Sequence, residues 1–336
     1  MLVESENFII GGFMKTVLKK GIMGLIVLST LALFFGCSDS KTLLFQKNGQ
    51  IFKEYENGKD AVMLISKGEY PQWIPGTKTH FAYVERQPGN PHMKLWVAKE
   101  DGTNPLALTN FEVSYAFSWS PDGKWIAISH TKDGNYEIYK IKIDGTTLTR
   151  LTNNSFTDYY PAWSPKGDKI AFISARSGHE GIYVINPDGT NEKRVTPATL
   201  LVLSNVHSKL SWSPDGKKIA FVGRWGTNYN IGTVDVQTGT TTQLSKKGGA
   251  SNPLWYDKYI FYFCYNDLYL YDTSTNKTTN LGRYVAQTQQ SALSADAVYV
   301  FFSYGANAPN PPHIYRVKYH AGGAEDIGQG SWPDVW

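Results

Sequence analysis

The sequence predicts an all-β protein built from repeated four-stranded antiparallel sheets, and three observations predict it. The phrase Trp-Ser-Pro-Asp-Gly-Lys occurs at Trp119–Lys124 and Trp212–Lys217, with a near copy at Trp163–Asp168. Together with the looser relatives at Trp73–Gly76 and Pro253–Trp255, it brings tryptophan back every 43 to 49 residues. Within each copy a second turn glycine follows the first at a spacing of 22 to 26 residues, usually preceded by Asp. Finally, no long amphipathic helix pattern occurs after residue 40. A repeat of this period, filled with short strands, is the mark of a β-propeller blade.

In chain order, the first element is an export signal over residues 1–36. Lys15, Lys19 and Lys20 precede Gly21–Gly36, which is apolar apart from Ser29 and Thr30 and ends in Phe34-Phe-Gly-Cys37. A basic start, an apolar run and a small residue before the cleavage point are the parts of a secretory signal. Translation is expected to begin at Met14, because residues 1–13 do not fit ahead of the basic start. Residues 37–41 form a short polar tether, and residues 42–336 form one propeller domain.

Leu43–Phe45, Gln50–Phe52 and Val62–Ile65 read as three strands of a sheet with no inner strand before them. Pro333–Trp336 reads as an inner strand with nothing after it. Pairing the two would leave the domain no open edge. Full copies then begin near Pro71, Ala116, Pro161, Leu210 and Pro253, with a degenerate one near Ser291. Seven blades are favoured, at about 42 residues each against a usual range of roughly 40–45; six, at about 49 each, are the alternative.

The third copy is the clearest. Tyr160–Trp163 is the inner strand, Ser164–Gly167 a tight turn, and Lys169–Ser174 and Gly181–Ile185 the apolar middle strands. Asp188-Gly189 turns the chain into the outer strand Lys193–Thr196. Proline and glycine at fixed places in these turns supply the backbone angles they need. Asp122 and Asp215 recur in the same turn, so they are read as turn formers and not as catalytic acids.

The pattern Trp-Ser-Pro-Asp-Gly-Lys-x-Ile-Ala-Phe, followed by Ile-Tyr, Asp-Gly and a closing Leu-Thr (Leu108-Thr109, Leu151-Thr152), resembles the TolB-type propeller repeat, also called WD40-like or PD40. The resemblance is good over residues 69–246 and loose over 41–68 and 251–336. It implies an extracytoplasmic propeller that acts by binding other molecules. TolB itself carries an α/β domain ahead of six blades, and here the chain before the first strand is signal and tether. The N-terminus resembles a bacterial lipoprotein signal, which implies lipidation at Cys37, with Phe34 and Phe35 departing from the usual residues. The same repeat occurs in prolyl oligopeptidase-like peptidases, which need a Gly-x-Ser-x-Gly elbow; none is present. Oligogalacturonate lyases are similar propellers that hold a metal with clustered histidines. The seven histidines here fall at different places in their repeats, so no metal, no other cofactor and no catalytic residue is assigned.

A formal charge of +4 is too small to argue for nucleic acid. Cys264 lies in the apolar run Tyr259–Cys264 and is read as a buried small hydrophobe. The ligand-binding expectation falls on the loops that lead from an outer strand to the next inner strand, at the mouth of the channel. Tyr115, Asp158, Tyr159, His207, Arg283, Tyr284 and Trp332 are the candidates there. Aromatic planes beside hydrogen-bonding groups offer contact area with little rotamer entropy to lose. Tyr70 and Tyr160, each directly before proline, are read as packing. The chain is therefore expected to be exported, lipid-anchored to the cell envelope and non-enzymatic. Its expected partner is an envelope protein or peptide; the alternative is carbohydrate binding or a lyase-like activity on the same face.

Overall fold

Two middle strands buried on both faces mark the third copy, whose sheet packs between those of the second and the fourth. In the third copy the strands Asp158–Trp163, Ile170–Ser174, Gly181–Ile185 and Lys193–Arg194 pair antiparallel in chain order. Every residue of the two middle strands is buried. Their alternate side chains face opposite neighbours, as the two-residue period of a strand requires. Ile170 and Phe172 pack with Ala127, Ile138 and Leu151 of the second copy. Ala171 and Ile173 pack with Trp212, Ile219 and Phe221 of the fourth.

The structure is a computed structural model, which describes residues 5–10, 13–18, 42–55, 61–77, 79–86, 93–203, 209–265, 267–283, 293–295, 299–304, 313–318, 324–329 and 331–335. It divides into two units, Met1–Ser40 and Lys41–Trp336. In the first, Ser5–Ile10 and Phe13–Leu18 form an antiparallel hairpin. Its sequence, rich in β-branched and aromatic residues, favours extended backbone. The apolar run 21–36, Cys37 and the tether lie outside the described residues. Among the described residues no helix is long and apolar enough to cross a membrane.

In the second unit the four-strand order of the third copy recurs from Ser211–Trp212 to Thr241–Gln243, from Ala250–Tyr256 to Lys277–Arg283, and from Leu293–Ala295 to Ala324–Gln329. The first copy, Glu69–Trp73 to Leu106–Ala107, and the second, Val113–Trp119 to Leu148–Arg150, are linked into one sheet by the pair Val113 and Met93. A last sheet draws on both ends of the unit. Ser331–Val335 pairs antiparallel with Thr42–Lys47, with Leu43 opposite Val335, and Gln50–Tyr55 and Val62–Ile65 complete it.

The turn chemistry is the same in each strict copy. The Ser120 hydroxyl accepts the Trp125 N–H at 2.9 Å and donates to Asp122 at 2.6 Å; Ser213 repeats both contacts with Lys218 and Asp215. In the third copy, where Lys166 replaces the aspartate, Asp168 takes over as the acceptor for Ser164. Asp122 and Asp215 also accept the N–H of Lys124 and Lys217, so they are turn formers as the sequence indicated. Gly123, at φ +68°, meets a second demand. A Cβ there would lie 2.5 Å from the Ile74 side chain of the neighbouring copy. The closing Leu-Thr phrase has a further use. Thr109, Thr152, Thr196 and Ser245 each accept the backbone N–H of the residue 14 positions earlier, at 2.9–3.0 Å. One hydroxyl in each of these four copies thus satisfies a buried strand amide that would otherwise be costly to leave unpaired.

Adjacent inner strands are tied by bonds the sequence gave no hint of. The Trp163 N–H donates to Ser118 at 2.9 Å and the Trp255 N–H to Ser211 at 2.8 Å. Cys264 is buried, and its thiol donates to the Gly248 carbonyl at 2.9 Å.

Candidate tyrosine-lined site

Three inner strands break step with their neighbours at the residue before proline. Tyr70, Tyr160 and Asn252 have φ of +55°, +56° and +50°, and each sits where the strand register shifts. Positive φ is uncommon for a bulky residue, and a bulge of this kind re-aims a side chain. The second copy shifts register between Val113 and Phe117, on either side of Tyr115.

The outcome is a ladder of three tyrosines across three consecutive copies. Tyr70 stacks on Tyr115 with ring centroids 5.3 Å apart. Tyr115 meets Tyr160 at 5.9 Å, and their hydroxyls hydrogen-bond at 2.5 Å. The rings border a cavity of about 120 Å³ whose wall also includes Gln72, Ser118, Lys209 and Leu210. Burial and then the Glu69 charge push the Tyr70 hydroxyl up to about 12. Burial, then the bond to Tyr160, pushes Tyr115 up as well. These phenols therefore remain neutral donors and acceptors at physiological pH. They suit hydrogen bonding to amide or hydroxyl groups, not proton abstraction.

The sequence separated Tyr115, as a ligand contact, from Tyr70 and Tyr160, as packing. The structure joins all three. Tyr159 packs edge-on against Tyr160 at 5.0 Å, and its hydroxyl donates to Glu180 at 3.3 Å.

Asp158 requires a correction. It is fully buried, with Arg176 2.5 Å from its carboxylate and the Asn154 amide donating at 2.9 Å. Burial pushes its carboxyl up, while the Ser174 hydroxyl and the Arg176 charge act in the opposite direction. With no exposed surface, the carboxylate faces Arg176 and Asn154 and offers a ligand no contact in this structure.

Its neighbour Glu137, which sequence reading missed, is also fully buried. It accepts from Arg150 at 3.1 Å, the Thr152 hydroxyl at 2.5 Å and the Asn154 N–H at 2.7 Å. Asn154 therefore bridges two buried carboxylates and pins the loop between the second and third copies. The only sequence signal was the pair Arg150 and Thr152 at the closing phrase.

Arg283 ends the strand Lys277–Arg283, and Trp332 lies in Ser331–Val335. His207, Tyr284 and Cys37 lie outside the described residues. Among the described residues no three of His, Cys, Asp or Glu gather as a metal-binding group.

The family model for the TolB beta propeller domain matches residues 56–264. A curated relative, the uncharacterized protein Atu1656 of Agrobacterium fabrum, is 33% identical over 43 residues, which is 13% of this chain. The match spans only 15% of that relative's length. Among solved structures, TolB from Acinetobacter baumannii superposes with a TM-score of 0.52 at 18% identity, over 96% of this chain and 75% of that one. A puromycin-hydrolyzing peptidase of Mycobacterium tuberculosis gives 0.62 at 16% identity, over 87% of this chain but 52% of that one. At such identities the superpositions speak for the fold alone. The family match, across well over half of the repeats described above, speaks for descent: the chain belongs to the TolB β-propeller family.

Proposed function

We propose that this chain is an exported, lipid-anchored wheel of seven blades, closed by its two ends, that binds a protein or peptide segment at its channel mouth without transforming it. The observation that carries the reading is the ladder Tyr70–Tyr115–Tyr160 around a small polar-rimmed cavity. A bound peptide offers backbone amides that tyrosine hydroxyls, Gln72 and Lys209 can pair, and side chains that the ring faces can cover. The raised phenol values fit a binding role. Export and lipidation rest on the basic start, the apolar run and Cys37.

The test is capture from detergent-solubilised envelope, with wild-type chain, Lys209→Glu and Tyr115→Phe as baits. A specific protein retained by wild type and reduced at least tenfold by both variants supports the reading. Equal retention by all three removes the channel face from it. Retention of glycan alone transfers the face to the carbohydrate alternative. Radioactive palmitate incorporated by wild type and lost in Cys37→Ala tests the anchor separately.

A further inference from the structure

The motif tryptophan fills the seam between consecutive copies. Trp73, Trp119, Trp163 and Trp212 are buried, whereas Trp255 is only partly buried. It borders a cavity of about 560 Å³ between the fourth and fifth copies. The cause lies in the residues opposite. In the fourth copy, Thr233 pairs with Ala220 and with Thr242, and both threonines line the cavity. The matching positions in the second copy are Lys140 and Thr149, and in the third Val184 and Lys193. In the second copy Trp125 also occupies the place held by Lys218 in the fourth, and the Lys140 ammonium covers it at 4.5 Å. Two short threonines and a solvent-directed lysine leave the fourth seam open.

The opposite wall carries two aromatic residues on either side of an isoleucine. Trp255 stands beside Ile260, and Ile260 beside Tyr271, so indole and phenol share one face of the fifth sheet. The rim carries Asp215 and Lys218 from one copy and Asp257 and Lys258 from the other. Two carboxylates and two ammonium groups cancel, so a strongly charged ligand gains no net attraction. Hydroxyls, amides and charged heads above an aromatic floor suit a ligand with many hydroxyls and an apolar ring face. The volume falls within the roughly 300–1,000 Å³ of small-molecule sites.

We propose that this seam binds a short neutral oligosaccharide, with successive sugar rings against Trp255 and Tyr271 and their hydroxyls paired to the threonines and the rim. The site lies apart from the tyrosine ladder and does not depend on the channel reading.

The test uses the full chain. Cellobiose and N,N′-diacetylchitobiose are titrated by saturation-transfer NMR and calorimetry, alongside an array of neutral tetrasaccharides. Saturable binding is expected, with tryptophan fluorescence changing in step. Removing both hydroxyls and narrowing the seam with Thr233→Val and Thr242→Leu should weaken binding at least tenfold while leaving Tm equal or higher. Lys209→Glu in the channel should leave it unchanged. No binding by any of these sugars overturns the proposal. So does binding that survives the narrowed seam, or binding that Lys209→Glu abolishes.

Discussion

The seams around Trp163 and Trp255 arise from the same repeat and end differently. The first buries its tryptophan among Ala127, Ile138 and Leu151, with Trp125 against the edge. The second leaves its tryptophan at the border of a cavity. The bond from the tryptophan N–H to a serine of the preceding inner strand recurs in both, so the repeat signal sets the frame but not what fills it. The filling depends on side chains that face each other from different copies and share no local pattern.

The largest expected effect breaks a filled seam. Phe172→Ala, fully buried between the second and third copies, should cost about 3–5 kcal/mol, read by urea unfolding. Trp163→Ala should fall in the same range, and Trp255→Ala should cost about half as much. Equal losses for the two tryptophans would show that the open seam is energetically as tight as the closed one.

A smaller effect separates the closing threonines. Thr152→Val removes the acceptor for Ile138 and a donor to buried Glu137, and should cost about 2–3 kcal/mol. Thr109→Val removes the acceptor for the Leu95 N–H, and about 1 kcal/mol is expected. Gly123→Ala and Gly76→Ala share positive φ, but only Gly123 faces Ile74 at 2.5 Å. Both should destabilise by about 1 kcal/mol from backbone strain alone. Gly123→Ala should exceed Gly76→Ala in the same unfolding series.

The smallest effect is electrostatic. The Thr190 hydroxyl, then its N–H, holds the Asp188 carboxyl below the ordinary carboxylate range. A depressed folded value adds stability above the ordinary value, and that stability is lost as pH falls through the folded one. Thr190→Val should return Asp188 toward the ordinary range in an NMR pH titration. An unchanged titration would mean that the backbone N–H alone holds it down.

These contrasts explain what the sequence could and could not tell. Strand positions were legible because Pro, Asp and Gly fix turns locally and because Ile170–Ser174 is apolar on both faces. The role of Asp122 and Asp215 was legible because recurrence in one turn explained them. Asp158 was misread because a polar residue in a loop looks the same whether it meets solvent or a buried partner. Its partner Arg176 stands 18 residues on. Tyr115 was singled out for its place, but not its union with Tyr70 and Tyr160. That union depends on positive φ before proline in two other copies, an angle that sequence preferences alone would not assign to tyrosine.

The proposed ring closes where the two ends of the unit share a sheet, and a single cross-link tests it. Leu43 and Val335 are directly opposed in the sheet shared by the two ends, close enough for a disulfide between paired strands. In a Cys37→Ser background, Leu43→Cys with Val335→Cys should oxidise within one molecule, migrate faster on a non-reducing gel and raise Tm. Failure to cross-link in the folded protein, or cross-links only between molecules, would contradict a ring joined by its first and last strands.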